Sequence, residues 1–192
     1  MIAAYMLWTT QLRSFNIDIT VQPTLQIQQK LGQFGMYVTS AFLNDTYRSG
    51  YITQVCLLLA HSNSRDDRYL LTFNSFRIMS EDKSAFGPSE KLLPIYLQGK
   101  EQATRICNFL YDADEPFPLA AGVYNAELLV WTDWDEKADF SHEFSLLISE
   151  ENAREYVSRK EQSSTRLIMI DMVGYAPLKS RKLSRNEYSG MR

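Results

Sequence analysis

Four carboxylates crowd one short stretch of this chain. In "LVWTDWDEKADF" (129–140), Asp133, Asp135, Glu136 and Asp139 surround Trp134. Calcium takes six to eight oxygens, commonly from carboxylates converging on a flexible loop. Asp133, Asp135 and Asp139 are therefore the candidate calcium ligands. The spacing is not that of an EF-hand, because the glycine and the terminal glutamate are missing. A site made by two loops would recruit Asp66 and Asp67, or Asp112, Asp114 and Glu115, if those loops share an end of the fold. The plainer reading is a solvated hairpin turn. Trp134 at its apex is the candidate contact for a partner or a lipid surface, the alternative being a ring folded over the hairpin.

Other chemistry finds little footing. His61 and His142 are the only histidines. His61 closes a strand-like run, and His142 shares a face with Phe140 and Phe144, which suggests a satisfied, partly buried imidazole. Neither has a serine, cysteine or carboxylate at a spacing that specifies a triad or a metal site. Cys56 and Cys107 sit in apolar runs and read as small core residues with free thiols, although a disulfide between them stays open. Glycines never cluster into a phosphate-cradling loop, and G-x-S-x-G, H-E-x-x-H and C-x-x-C are absent. The expectation is a non-enzymatic protein with no catalytic residue, no cofactor-binding residue and no cofactor.

Composition sets the frame for these residues. The chain has 192 residues, 45% of them hydrophobic, enough for a core that needs neither metal nor disulfide. Its 11 Tyr and 10 Phe favour half-buried pleated surfaces. The net charge of −3 offers no general attraction to nucleic acid. Basic residues gather near the end, where Lys179, Arg181, Lys182, Arg185 and Arg192 face only Glu187. The opening "MIAAYMLWTT" is apolar but too short to span a bilayer. It reads either as a short helix over 2–14 or as the exit of a membrane anchor.

The elements that would position the site follow from period-two patterning. Ile17, Ile19 and Val21 alternate with polar residues, and Leu25 and Ile27 continue the alternation past Pro23. This predicts an edge strand interrupted by proline. Strand-like runs follow at 35–43, 51–60, 68–79, 92–98 and 103–111. Residues 123–131 and 139–149 predict an antiparallel hairpin whose core face carries Tyr124, Ala126, Leu128 and Val130. Ser149 is a candidate N-cap, with Glu150 and Glu151 in the first turn of a helix over 150–161. "RLIMIDMV" (166–173) is a last strand and a second candidate edge.

Many short strands without intervening helices indicate an all-β, antiparallel sandwich with a short N-terminal helix and a C-terminal helix plus tail. The expected division is 1–16 for the N-terminal helix or anchor remnant, 17–149 for the sandwich, 150–178 for the helix and terminal strand, and 179–192 for a disordered basic tail. The run Leu119-x-x-Gly122-x-Tyr124-x-Ala126 resembles the corner that opens strand F of immunoglobulin-like domains. That resemblance implies an immunoglobulin-like sandwich in which the tyrosine hydroxyl ties back to the backbone just upstream. Ala126 stands where those domains often carry cysteine, so their inter-sheet disulfide has no place here. The anchor-like start followed by such a domain also looks like small bacterial membrane-tethered proteins of unassigned role.

The functional expectation is a binding or assembly module. It would recognise a protein partner, or a second copy of itself, through loops or an edge strand. The alternatives are a calcium-dependent, C2-like membrane-binding domain and a carrier of a hydrophobic ligand. No nucleic-acid partner is expected. The expected location is the cytoplasm, with membrane association through the N-terminus as a second reading.

Overall fold

The computed structural model describes residues 14–30, 33–63, 67–79, 86–88, 93–133, 137–159, 167–174 and 181–182. The expected N-terminal helix, Trp134, Asp135, Glu136 and most of the basic tail lie outside these residues.

Strands dominate: β1 (Ile17–Val21), β2 (Thr24–Lys30), β3 (Gln33–Asn44), β4 (Gly50–Ile52), β5 (Gln54–His61), β6 (Arg68–Met79), β7 (Phe86–Pro88), β8 (Ile95–Leu97), β9 (Gln102–Leu110), β10 (Gly122–Trp131), β11 (Phe140–Ile148), β12 (Leu167–Val173) and β13 (Arg181–Lys182). One described helix, α1 (Glu150–Ser158), lies between β11 and β12. Its N-cap is Ser149, whose hydroxyl accepts the Asn152 N–H at 3.0 Å, and Glu150 and Glu151 occupy its first turn.

The sheet closes on itself. β3 pairs with β2, β2 with β12, β12 with β11, β11 with β10, β10 with β5, β5 with β6, β6 with β9, and β9 returns to β3. Every ladder is antiparallel, and the result is an eight-stranded β-barrel rather than two stacked sheets. The expected immunoglobulin-like sandwich is therefore corrected. Alternation of apolar and polar residues is the same in both architectures. What differs is the pairing between distant strands.

The correction is sharpest at the two expected edges. β2 and β12 pair with each other, Ile168 opposite Ile27 and Ile170 opposite Leu25. All four side chains are buried. Burying an Ile or Leu side chain contributes about 1.5–3 kcal/mol, so this seam is a substantial part of the core. Proline acts as a bend. β1 and β2 run along the same flank of β3, and the register slips across Gln22–Pro23. The Gln22 N–H still reaches the Thr39 carbonyl at 2.9 Å, while the Pro23 carbonyl accepts the Met172 N–H at 2.9 Å. Pro23 thus hands the chain from one neighbour to the next where its missing N–H costs nothing.

The barrel has two different ends. One end is sealed by α1 and the loop 111–121. There Phe34 stacks on Phe117 at 4.0 Å, and Tyr156 meets Phe34 edge-on at 5.8 Å. Burial pushes the Tyr156 hydroxyl up to about 12. The other end carries the 132–139 hairpin loop, the short β4–β8 sheet and β13, which pairs with Phe140 and Ser141. Arg181 and Lys182 of the basic stretch thus pair with the barrel.

Candidate functional site

The β4–β8 sheet is a lid with two unlike faces. Ile52, Ile95 and Leu97 are buried and fill the barrel mouth. Tyr51 and Tyr96 lie opposite each other on the solvent side, their ring centroids 5.0 Å apart and their planes tilted by 47°. They are 51% and 48% exposed, and nearby Tyr47 is 61% exposed. Both strands of the lid thus carry a large amphipathic ring to solvent, the kind of side chain that serves contacts with a partner.

A buried asparagine holds this lid in place. Asn44, at the end of β3, is fully buried. Its side-chain amide donates to the Arg48 carbonyl at 2.9 Å and to the Gln98 carbonyl at 2.7 Å. Its side-chain oxygen accepts from the Thr46 N–H at 3.0 Å and the Thr46 hydroxyl at 2.8 Å. One side chain thereby ties the 44–48 turn to the 98–101 turn. Lys100 sits at φ 63°, uncommon for a residue with a side chain, and its N–H is fixed by the Thr46 carbonyl at 2.8 Å. Its ammonium donates to the Asp45 carbonyl and stands 5.0 Å over the Tyr47 ring. A Cβ on Gly99 would come within 2.3 Å of the Tyr47 carbonyl oxygen, so the two turns meet backbone to backbone.

The acidic hairpin loop is joined to the same end. The Thr53 hydroxyl, one residue past β4, donates to the Asp133 carbonyl at 2.7 Å, and the Thr53 N–H donates to the Trp131 carbonyl at 2.8 Å. Asp133 itself is exposed. The Asp139 carboxylate accepts both the N–H and the hydroxyl of Thr132, at 2.7 and 2.8 Å. That arrangement closes the turn. Asp135 and Trp134 lie outside the described residues. Asp67, Asp112, Asp114 and Glu115 belong to the opposite end of the barrel, away from Asp133 and Asp139. Among the described residues, no group of three or more His, Cys, Asp or Glu comes together as a metal site.

The histidines take structural places. His61 meets the Tyr124 ring edge-on at 4.9 Å, and a Cβ on Gly122 (φ +143°) would fall 2.4 Å from its Nε2. Glycine is required there on both counts. The Tyr124 hydroxyl accepts the Ala120 N–H at 3.0 Å, which is the tie-back that the corner motif implies, set here in a barrel. His142 is only 5% exposed and faces inward with Phe140 and Phe144. Among the described residues its Nδ1 has no hydrogen-bond partner, contrary to the expected satisfied imidazole, and burial lowers its affinity for a proton. The thiols of Cys56 and Cys107 are free and buried. Burial pushes Cys107 up to about 12 and also raises Cys56.

Sequence reasoning read Asn44–Asp45 only as a turn and passed over the tyrosines beside it. The available signal was the segment "NDTYRSGY" (44–51), where turn formers alternate with aromatic residues that a plain loop does not need. Among the described residues, no helix is long and apolar enough to cross a membrane. No protein-family model, no curated protein and no solved structure matches the chain.

Proposed function

We propose that this protein is a non-enzymatic binding module that recognises a protein partner through the lid end of its barrel, in the cytoplasm. The carrying observation is the group of exposed rings Tyr47, Tyr51 and Tyr96 on a lid anchored by buried Asn44. Tyrosine offers large contact area at a low entropic cost, since few torsions need fixing, and it concentrates at binding hot spots. A lid already held in shape adds little ordering cost on binding. The eight barrel strands are each paired on both sides among the described residues, so at this end a partner is met by the loops or by the open edges of the two-stranded β4–β8 sheet.

The test is site-specific photo-cross-linking in cells expressing the full chain. A photoreactive phenylalanine analogue at position 96 is expected to give a discrete protein adduct. The adduct is expected to disappear when Tyr51→Ala is added, and to be missing when the probe replaces Glu151 at the opposite end. No adduct at position 96, or equal adducts at both positions, overturns the reading.

A further inference from the structure

We propose that His142 is an acid-operated latch in the barrel wall. When its imidazole takes up a proton, the β11–β13 seam opens locally and the Arg181–Lys182 bridge comes free. The wall is irregular at this point. β11 pairs with β10 along its whole length, but its other flank is served in two pieces. Ser145 stands opposite Val173 of β12 and Ser141 opposite Arg181 of β13, so the facing chain moves eight residues on while β11 moves four. His142, Glu143 and Phe144 have no ladder partner on that flank among the described residues. β12 ends at Val173, and Gly174 after it sits at φ 65°. The neighbouring strand breaks at the same height. The Met172 N–H bonds to the Pro23 carbonyl at 2.9 Å, where β1 gives way to β2. Two interrupted strands therefore lie side by side next to His142, and the ladder bonds that resist a local opening are fewest there.

The side chains at this break leave hydrogen bonds unmade. Among the described residues, the buried Nδ1 of His142 and the buried hydroxyl of Ser141 beside it both lack a partner. His142 faces inward, opposite Leu128 of β10 and 6.3 Å from the Phe144 ring. β1 lies close to β11, and its inward residues are Ile17, Ile19 and Val21. The buried inward residues of β12 are Ile168 and Ile170. None of these can accept a hydrogen bond from an imidazolium. The carboxylates of the surrounding strands alternate with these residues and so take outer positions: Glu143 itself, Glu127 opposite it on β10, Asp18 on β1 and Asp171 on β12. β13 contributes only the basic Arg181 and Lys182, which do nothing to favour a further cation. Burial already lowers the affinity of this imidazole for a proton. The charged ring is hydrated once the seam opens, so proton uptake and opening favour each other.

The test is amide hydrogen exchange of the full chain, corrected for the intrinsic effect of pH on exchange. With an ordinary imidazole in the open seam, going from about pH 7.5 to about pH 5.5 multiplies the open population about tenfold. Exchange at 141–144 and 181–182 is expected to rise by that factor. It is also expected to stay faster than exchange in the β5–β6 ladder and to depend little on added urea, because a local opening exposes little surface. His142→Gln keeps a polar side chain without a titrating group and is expected to remove the rise. In the unaltered chain the rise is expected to begin below about pH 6.5. Onset only near about pH 4 would assign the opening to the surrounding carboxylates and overturn the proposal. So would no rise at 141–144, a rise that persists in His142→Gln, or exchange there as slow and as urea-dependent as in the β5–β6 ladder. The pH at onset in the unaltered chain decides the matter if His142→Gln does not fold.

Discussion

Ile27 of β2 and Ile168 of β12 stand opposite each other in register, both buried, and their ladder closes the barrel. Removing side-chain volume at this seam opens a cavity between strands that local sequence does not hold together. Ile168→Ala is expected to cost about 2–4 kcal/mol in urea unfolding. Met169→Ala, one residue on and 53% exposed, is expected to stay within about 0.5 kcal/mol. Equal costs at the two positions would contradict the inward assignment of Ile168.

The lid depends on Asn44. Asn44→Ala removes its bonds to the Arg48 and Gln98 carbonyls, which keep only the longer contacts from the Thr46 hydroxyl and the Glu101 N–H at 3.2 Å each, and it strips the buried Thr46 N–H of its acceptor. The expected loss is about 2–4 kcal/mol. Amide hydrogen exchange is expected to speed up at 45–48 and 98–101 before it does so in β10 and β11. Uniform acceleration across the chain would mean that the lid is not a separate unit.

The corner at Tyr124 predicts a small, local effect. Tyr124→Phe keeps the buried ring but removes the oxygen that accepts the Ala120 N–H. The expected cost is about 1 kcal/mol. Exchange at the Ala120 amide should rise, with little change at Tyr156.

His142 makes stability depend on pH. Burial between Phe140 and Phe144 holds its folded-state pKa below the ordinary value of 6.5. Below 6.5 the unfolded chain takes up a proton that the folded chain refuses, so the unfolded state binds more protons. Stability therefore falls as pH drops from 6.5 toward the lowered folded value, by at most about 1.4 kcal/mol per pH unit for this group. Above 6.5 the imidazole contributes no slope. His142→Leu is expected to flatten urea midpoints over this window. An unchanged slope would assign the pH dependence to other groups.

Much of the local structure was legible. The β10–β11 hairpin, the Ser149 cap and the run that became β12 all follow from alternation and capping chemistry between sequence neighbours. Closure was not legible. Ile27 and Ile168 are far apart in sequence, and nothing near either one announces the other. The same alternation serves a sandwich and a barrel, so the two expected edges became partners. The site was half legible. The acidic hairpin was visible as a loop, but its junction with the lid through Thr53 is a long-range bond. Asn44 looked like a turn residue because that is the usual place for asparagine, and its burial depends on the second turn that the fold brings against it.

The β2–β12 seam also sets an order of events during synthesis. β2 emerges from the ribosome early but has one of its two barrel neighbours only when β12 follows it out of the exit tunnel. Until then it presents unpaired backbone groups, the kind of surface that chaperones shield and that crowded nascent chains join through. Slowing translation between α1 and β12 should lengthen this exposed interval, with more aggregate formed per chain made.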